Sequence, residues 1–276
     1  MENFEINSDQ IDKIEKITTK EKDFRVKNLK LFQAAGFPNK NLEDWKFSDF
    51  KNIINNNFEE LKCKSHSETI NKLDLIKDFE HNYIFLVNGN LYSNNFNYED
   101  INKIKINSYD KSLEHQKTDN SLIHLNHALA DNGFSLEVEK NYKFKKVLVI
   151  YNFFKNDVKN KILNNKNKIK IGENSELHTL EYTVNESEFK FINNVYENII
   201  LEKKSKFKNL YIQKNKNDGI FHKFLKSNLF SSSEYSNFIF SSGPKFNKLD
   251  IDCDLNEQHA NCNILSAQFL SNEEHN

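Results

Sequence analysis

An internal repeat in the second half of the chain limits the possible folds more than any other feature of the sequence. Four segments align without gaps: GENSELHTLEYTV, EKKSKFKNLYIQK, FSSSEYSNFIFSS and EQHANCNILSAQF. Each has a small residue at the same place, and these residues, spaced 30, 28 and 27 positions apart, are Ser175, Ser205, Ser233 and Ala260. A unit of this length that cannot bury its own apolar face is typical of a solenoid, in which stacked coils form one continuous core.

Apolar residues occupy further positions of the repeat. They follow the small residue by two positions (Leu177, Phe207, Tyr235, Cys262), by five (Leu180, Leu210, Phe238, Leu265) and by seven (Tyr182, Ile212, Phe240, Ala267). Another column precedes it by four positions and contains Ile171, Leu201 and Leu229, with Asn256 breaking the last copy. Positions five and seven share one face of a strand, whereas position two falls outside that alternation. We therefore predict a strand, a bend and a second strand in each coil, with the apolar columns facing inward. An ordinary β-sandwich with similar strands is the alternative.

Helical spacing dominates the first part of the chain. Ile11, Ile14 and Ile17 begin a helical stretch that continues through Phe32 and is stopped by Gly36. A short helix or turn is predicted near Trp45–Ile54, and helices are predicted over residues 66–79 and over Leu122–Leu129, the last ending at Asn132 and Gly133.

Strand patterns are found at residues 83–92 and again after residue 133. The run YIFLV precedes Asn88 and Gly89, a pair that strongly indicates a hairpin turn. FSLEVEK and KVLVIYNFF have the alternation and composition of strands. We therefore predict a mainly β chain, with an α-rich region over residues 1–133 that includes the hairpin, and a partial parallel β-helix over residues 134–276.

Charge and composition exclude several classes of function. The formal net charge is -1, from 39 basic and 40 acidic side chains, so a generic nucleic-acid binder is disfavoured. No apolar run approaches the roughly 18–20 residues of a membrane helix, and the N-terminus has no apolar secretory segment. We therefore expect a cytoplasmic protein with neither a nucleic-acid nor a membrane partner. Arg25 is the only arginine, which argues against a site made of several bidentate arginines.

The cysteines give no sign of a disulfide framework or a zinc site. Cys63, Cys253 and Cys262 are odd in number and widely spaced, and the sequence contains no C-x-x-C pair. Cys253 and Cys262 are interpreted as small buried apolar residues.

Three aspartates are the strongest candidates for chemistry. In LDIDCDL, Asp250, Asp252 and Asp254 alternate, so on a strand all three face one side. They could bind calcium or supply a general acid and base. The simpler interpretation is a solvated outer face, with Leu249, Ile251, Cys253 and Leu255 toward the core.

The histidines give weaker signals. His124 and His127 are three residues apart on a predicted helix, but no third metal ligand lies nearby, so they are interpreted as polar flanks of an apolar face. His178, His222 and His259 are isolated. Glycine-rich phosphate loops and nucleophile elbows are missing from the sequence. No catalytic, metal-binding or cofactor-binding residue is therefore predicted.

A series of landmarks resembles a known family. The N-terminal landmarks are Arg25, Phe32, Gly36, Pro38, Glu43, Trp45, Lys46, Phe47 and Ser48. FLVNGNLY follows, and then LNHALADNGF, with Leu125, Asn126, Ala128 and Gly133. Their order and spacing resemble the SufB/SufD family of the SUF iron–sulfur cluster assembly system. The Gly-x-Pro and Glu-x-Trp-Lys elements are more similar to SufD than to SufB.

The resemblance implies a fold and a role. It implies a right-handed parallel β-helix and a non-catalytic subunit that pairs with a SufB-like subunit and a SufC-like ATPase in a SufBCD-like scaffold. That complex, rather than this chain, is implied to assemble the iron–sulfur cluster. SufD proteins are longer, so we expect the chain to be truncated, with His275 opening a segment that continues beyond Asn276 and carries the partner contacts.

Two alternatives come from other classes of protein. One is a β-helix carbohydrate-active enzyme, a lyase or hydrolase that uses Asp250, Asp252 and Asp254. The other is a solenoid interaction module without a metal role.

Overall fold

A computed structural model describes residues 4–63, 73–109, 118–214 and 217–269 of the chain. Within these ranges the α-helices are α1 (Ser8–Asp12), α2 (Thr19–Ala35), α3 (Phe50–Asn57) and α4 (Ser121–Leu129). Short 3₁₀ helices span Glu43–Trp45, Ile101–Lys103 and Asn156–Val158. The strands are β1 (Asn82–Val87), β2 (Asn90–Asn95), β3 (Ile104–Ser108), β4 (Asn132–Val138), β5 (Leu148–Phe154), β6 (Ile162–Ile171), β7 (Glu176–Asn185), β8 (Phe191–Leu201), β9 (Lys206–Gln213), β10 (Asn217–Leu229), β11 (Glu234–Ser242), β12 (Pro244–Leu255) and β13 (Asn261–Phe269).

The strands form a β-solenoid of about 5 turns after an N-terminal helical region, which confirms the predicted fold class. Sheet A contains, in order, β12, β10, β8, β6, β4 and β2, and sheet B contains β1, β5, β7, β9, β11 and β13. The β1–β2 hairpin joins the two sheets. Asn88 and Gly89 form its predicted turn with φ of 51° and 85°. Successive coils pair in parallel, while β3 pairs antiparallel with β4.

Each coil turns from sheet A to sheet B at the small residue of the repeat. The residue before it has a left-handed backbone, with φ of 57°, 58°, 57° and 62° at Asn174, Lys204, Ser232 and His259. Ser205 and Ser233 are fully buried, and their hydroxyls donate to the carbonyls of Glu202 and Phe230 at 2.6 and 2.7 Å. A larger side chain would displace this hydrogen bond inside the core, which explains why the position is small.

The prediction that positions five and seven of the repeat face inward is wrong. The strand after each turn is continuous, and its buried residues in β7 are Leu177, Thr179, Glu181 and Thr183. Leu180 and Tyr182 therefore lie on the outer face of sheet B. Alternation shows which residues share a face, but it cannot show which face is inside when the interior itself contains polar residues.

In the last copy of the repeat, Leu255 rather than Asn256 occupies the inner apolar column that precedes the small residue. Strand pairing places Leu229 beside Leu255. The turn between β12 and β13 is one residue longer than the turn between β10 and β11, so the gapless alignment slips by one position.

The N-terminal helices pack on the outer face of sheet A and form a cap. They share an apolar cluster with four residues in register at the start of the sheet A strands, Ile162, Ile192, Ile220 and Phe246. From the cap, this cluster includes Leu29, Phe32, Trp45, Phe50, Ile54, Leu122 and Leu125. The cap thereby removes the beginning of the sheet A strands from solvent on this face.

The first predicted helical stretch consists of two helices. Thr18 caps α2, because its side chain accepts from the Glu21 N–H while the Glu21 side chain accepts from the Thr18 N–H. This reciprocal capping box starts a new helix after Ile17. The helical spacing of apolar residues therefore continues across a break between α1 and α2.

Two further helix predictions need correction. Helix α4 ends at Leu129, and Asn132 and Gly133 begin β4 instead. Gly133 has φ of 124° and lies so close to the neighbouring strand that a side chain would clash, so this glycine permits strand approach rather than ending a helix. Residues 73–79 are not helical, and residues 66–72 of the predicted helix lie outside the described residues.

Candidate functional site

Three charged side chains meet inside the solenoid, between sheets A and B. Lys223 Nζ lies 2.9 Å from Glu181 Oε2 and 3.1 Å from Glu197 Oε1. Glu181 projects from β7 of sheet B, whereas Glu197 and Lys223 project from β8 and β10 of sheet A. All three are buried. Because burying a charge is unfavourable unless it is paired, two acidic groups around one ammonium form a cluster of high electrostatic energy.

This cluster binds a proton near neutral pH. Burial, followed by the nearby Glu181 carboxylate, raises the pKa of Glu197 from 4.5 to about 7 against the opposing effect of Lys223. Burial acts to lower the pKa of Lys223, but the two carboxylates outweigh it and raise that pKa. The ammonium therefore stays charged, while Glu197 can take up or release a proton.

Polar groups of sheet B hold the cluster in place. Asn209 Nδ2 donates to Glu181 Oε1 at 2.9 Å, and Thr179 Oγ1 donates to Asn209 Oδ1 at 2.7 Å. The ring of Tyr211 lies 5.1 Å from Lys223 Nζ. The adjoining cavity has a volume of about 20 Å³, which is room for one water molecule. The space beside the cluster is therefore too small for an organic substrate.

The aspartates of β12 lie on the outer face of sheet A, and each has a cationic partner. Lys226 Nζ lies 2.8 Å from Oδ2 of both Asp252 and Asp254. Lys248 Nζ lies 2.7 Å from Asp250 Oδ1. Glycosidases need two carboxyl groups in unequal environments, one of which stays protonated. Here all three carboxylates instead have similar environments, each paired with a lysine, so the carbohydrate-active alternative is not favoured.

Asp250 also joins a hydrogen-bonded chain between the cap and sheet A. His222 Nε2 lies 3.1 Å from Asp250 Oδ2, and His222 Nδ1 lies 2.8 Å from Asn194 Oδ1. Asn194 Nδ2 donates to the Leu122 carbonyl of α4 at 3.0 Å. The Trp45 ring lies 5.8 Å from the imidazole. His222 is therefore a buried histidine that helps to hold the cap on the sheet.

Two of the three cysteines, Cys63 and Cys262, lie where reactivity is suppressed. Cys253 and Cys262 are partly buried and pack against the core of the solenoid. Burial, with Cys253 adding to it, raises the pKa of Cys262 to about 12. Burial also raises the pKa of Cys63 to about 12, and its thiol donates to the Glu5 carbonyl at 3.2 Å. Such thiols stay protonated at neutral pH, whereas the thiolate is the nucleophile and metal ligand.

The two helical histidines make separate contacts and do not converge. His124 Nδ1 lies 2.9 Å from Asn28 Oδ1, and burial lowers the pKa of His124. His127 is buried with its ring 5.0 Å from that of Tyr196. In the part of the chain that the structure describes, no group of three or more His, Cys, Asp or Glu residues is placed to hold a metal ion. His275 lies outside that part.

Sequence reasoning missed the interior charges. Glu181 stands between Leu180 and Tyr182, and because those two are expected to face inward, alternation assigns Glu181 to the solvent side. The available signal was register: parallel pairing places Lys223 on β10 beside the strand that carries Glu197. An inner column with charges of both signs indicates an internal ion pair.

Two family models match the chain and together span nearly all of it. SufBD protein N-terminal region matches residues 2–150, which is more than half of the chain. SUF system FeS cluster assembly, SufBD core domain, matches residues 153–276. The chain belongs to the SufB/SufD family. It therefore takes part in SUF iron–sulfur cluster assembly. A comparison with curated proteins gives no significant match.

In this SufB/SufD chain, one landmark residue joins two helices of the cap and another packs the cap on the solenoid. The buried Arg25 guanidinium donates to the carbonyls of Ala128 and Ala130 at 3.0 and 2.8 Å. Trp45 is buried in the cluster between the cap and sheet A. Phe47 is different, because 87% of its surface is exposed. Among the described helices of this SufB/SufD chain, none has the length and apolar character that spanning a membrane requires.

Proposed function

We propose that this chain is a SufD-like, non-catalytic subunit of a SufBCD-type scaffold in the cytoplasm. It pairs with a SufB-like subunit and a SufC-like ATPase, and the iron–sulfur cluster is the cargo of the whole complex. The observation that carries this proposal is the match of both SufBD regions along one chain. The Gly36-x-Pro38 and Glu43-x-Trp45-Lys46 elements, which resemble SufD more closely than SufB, support the finer assignment.

The chemistry of the described side chains supports a structural role. The interior charges of Lys223 and Glu181 are paired, and the three β12 carboxylates are paired with two lysines. Cys63 and Cys262 hold their protons. These groups stabilise the solenoid and its cap, and none of them combines an activated nucleophile with a base.

Co-expression with a SufB-like and a SufC-like protein of the same organism tests the proposal. With an affinity tag on the SufB-like protein, we expect this chain to be retained at a fixed ratio through a second, size-based separation. The variant Asp252→Asn, which alters a partly buried ion pair on the outer face of sheet A, is the matched control and should be retained equally. A chain that is folded by circular dichroism but is not retained would overturn the assignment.

A further inference from the structure

Two apolar columns run along the outer face of sheet B. Strand pairing aligns the first as Tyr83, Val149, Leu180, Leu210, Phe238 and Leu265. The second stands two residues further along each strand, from Phe85 to Ala267. Neighbouring strands are about 4.8 Å apart, so each column of six residues is about 24 Å long, and the two columns lie about 7 Å apart. The positions of the repeat that were expected to form the core thus form a continuous outer surface.

The chain itself covers the first part of these columns. A strap, residues 73–76, has no helical structure and packs its apolar side chains on β1 and β5. The Ile76 N–H donates to the Tyr151 hydroxyl at 3.0 Å. Under the strap, Val149 and Tyr151 are 0% and 1% exposed. A short extended segment with apolar side chains is therefore sufficient to bury this surface.

Among the residues that the structure describes, the same columns are half-buried on β9 and become more exposed on β11 and β13. Phe238 and Leu265 are 42% and 57% exposed, and Phe269, on the same face at the end of β13, is 60% exposed. The rings of Phe240 and Phe269 lie 5.6 Å apart, which makes the surface contiguous. Contiguous exposed apolar surface on a soluble domain marks an interaction site.

We propose that this outer stripe, formed by Leu210, Ile212, Phe238, Phe240 and Leu265, binds an extended segment of a partner protein in which Leu or Ile alternates with acidic residues. The partner segment would continue the interface that the strap has already begun, on the same columns and with the same side-chain chemistry. The stripe is the face of a sheet, so recognition relies on apolar side chains rather than on strand-edge hydrogen bonds.

Charge supports the acidic character of the partner. Lys208 projects from the same face of β9, two residues before Leu210, and is exposed. The strap has Asp74 between Leu73 and Leu75, so the segment that covers the first part of the columns combines apolar and acidic residues. An acidic segment would find a complementary lysine at the border of the outer stripe.

A labelled peptide with the strap sequence LDLIKDF tests the proposal against the full 276-residue chain by fluorescence anisotropy. The matched peptide SDSSKDS has serine in place of the four apolar residues. We expect the first peptide to bind about tenfold more tightly or better, because each apolar side chain loses contact with water. Phe238→Ser should remove this preference, while Ser236→Ala, on the same face outside the outer stripe, should keep it.

Two results would overturn the proposal. One is equal affinity for the two peptides, or an unchanged preference in a Phe238→Ser chain that circular dichroism shows to be folded. The other is a wild-type dimer by light scattering that Phe238→Ser converts to a monomer, because the occupant would then be a second copy of this chain. Neither result depends on whether the SufB-like protein retains the chain, so this test is independent of the proposed function.

Discussion

Replacement of Glu197 by Gln is expected to remove a pH-dependent part of the stability of this SufB/SufD chain. Burial and the Glu181 carboxylate raise the pKa of Glu197 from 4.5 to about 7. The folded chain therefore binds this proton more tightly than the unfolded chain does. Stability from the protonated group is fully present below pH 4.5 and is lost as the pH rises through about 7.

The size of this effect follows from the two pKa values. One pKa unit corresponds to about 1.4 kcal/mol, so Glu197 makes the wild-type chain less stable at pH 8 than at pH 5 by roughly 2–3 kcal/mol. A glutamine side chain at this position has a similar shape and does not titrate. We therefore expect the stability of the Glu197→Gln variant, relative to wild type, to rise by that amount over this range. For a chain of this length, the change corresponds to about 4 °C in melting temperature.

Urea unfolding at pH 5, 6, 7 and 8 measures the difference. Circular dichroism follows the solenoid, and the fluorescence of Trp45, the only tryptophan, follows the cap. Glu234→Gln is the control, because Glu234 is exposed and pairs with Lys206 at 3.0 Å, so its effect should be small and constant over this range. A Glu197→Gln difference that stays flat between pH 5 and pH 8 would refute the reasoning about the interior cluster.

Three further predictions concern the interior cluster, the cap and the outer face of sheet A. Lys223→Met should lower the free energy of unfolding by roughly 3–5 kcal/mol, because two buried carboxyl groups lose their cation. Measured by urea unfolding, this loss of stability should be larger at pH 8 than at pH 5. Equal losses at the two pH values would contradict the ion-pair geometry. Arg25→Met should destabilise the chain by roughly 2–3 kcal/mol and expose Trp45 to solvent in fluorescence spectra, whereas Lys27→Met on the exposed side of α2 should do neither. Asp252→Asn should change the free energy of unfolding by less than about 1 kcal/mol, because Lys226 keeps its ion pair with Asp254. A polysaccharide-turnover assay should give the same rate for the variant and the wild type. A loss of turnover in the variant would restore the enzyme alternative.

The repeat predicted the solenoid because parallel, in-register coils require equivalent residues at a nearly constant spacing. The column from Ser175 to Ala260 marks the turns, since each member follows a left-handed residue at the corner of a coil. The hairpin at Asn88 and Gly89 was predictable for a similar reason, because few residues adopt two successive positive φ angles.

The inner face of sheet B could not be predicted from hydrophobicity. Thr179 and Glu181 are buried because partners from distant strands satisfy them, namely Asn209 and Lys223. Those partners are 30 and 42 residues away in sequence, so no local sequence pattern predicts these contacts. The apolar outer columns were misassigned for the same reason, since their burial depends on the strap rather than on the strand that carries them.

Contacts across the cap were equally hidden. His222 is isolated in the sequence, yet it contacts Asn194 and Asp250 because both lie on neighbouring strands of sheet A. The alternation of the three aspartates was predicted correctly, but their lysine partners were not. The pair between Lys226 and Asp252 depends on the register of β10 and β12. The extra residue in the turn after β12 shifts that register by one position relative to the gapless alignment.

The most direct test of the assignment to a SufD-like scaffold subunit is the iron and acid-labile sulfide content of the complex. A SufB-like and a SufC-like protein would be purified with and without this chain, and both samples would be reconstituted with iron and sulfide under identical conditions. We predict that the chain is present in the complex at a fixed ratio and that the complex containing it holds more iron and sulfide. Equal iron and sulfide with and without the chain, or a complex from which the folded chain is missing, would contradict the assignment.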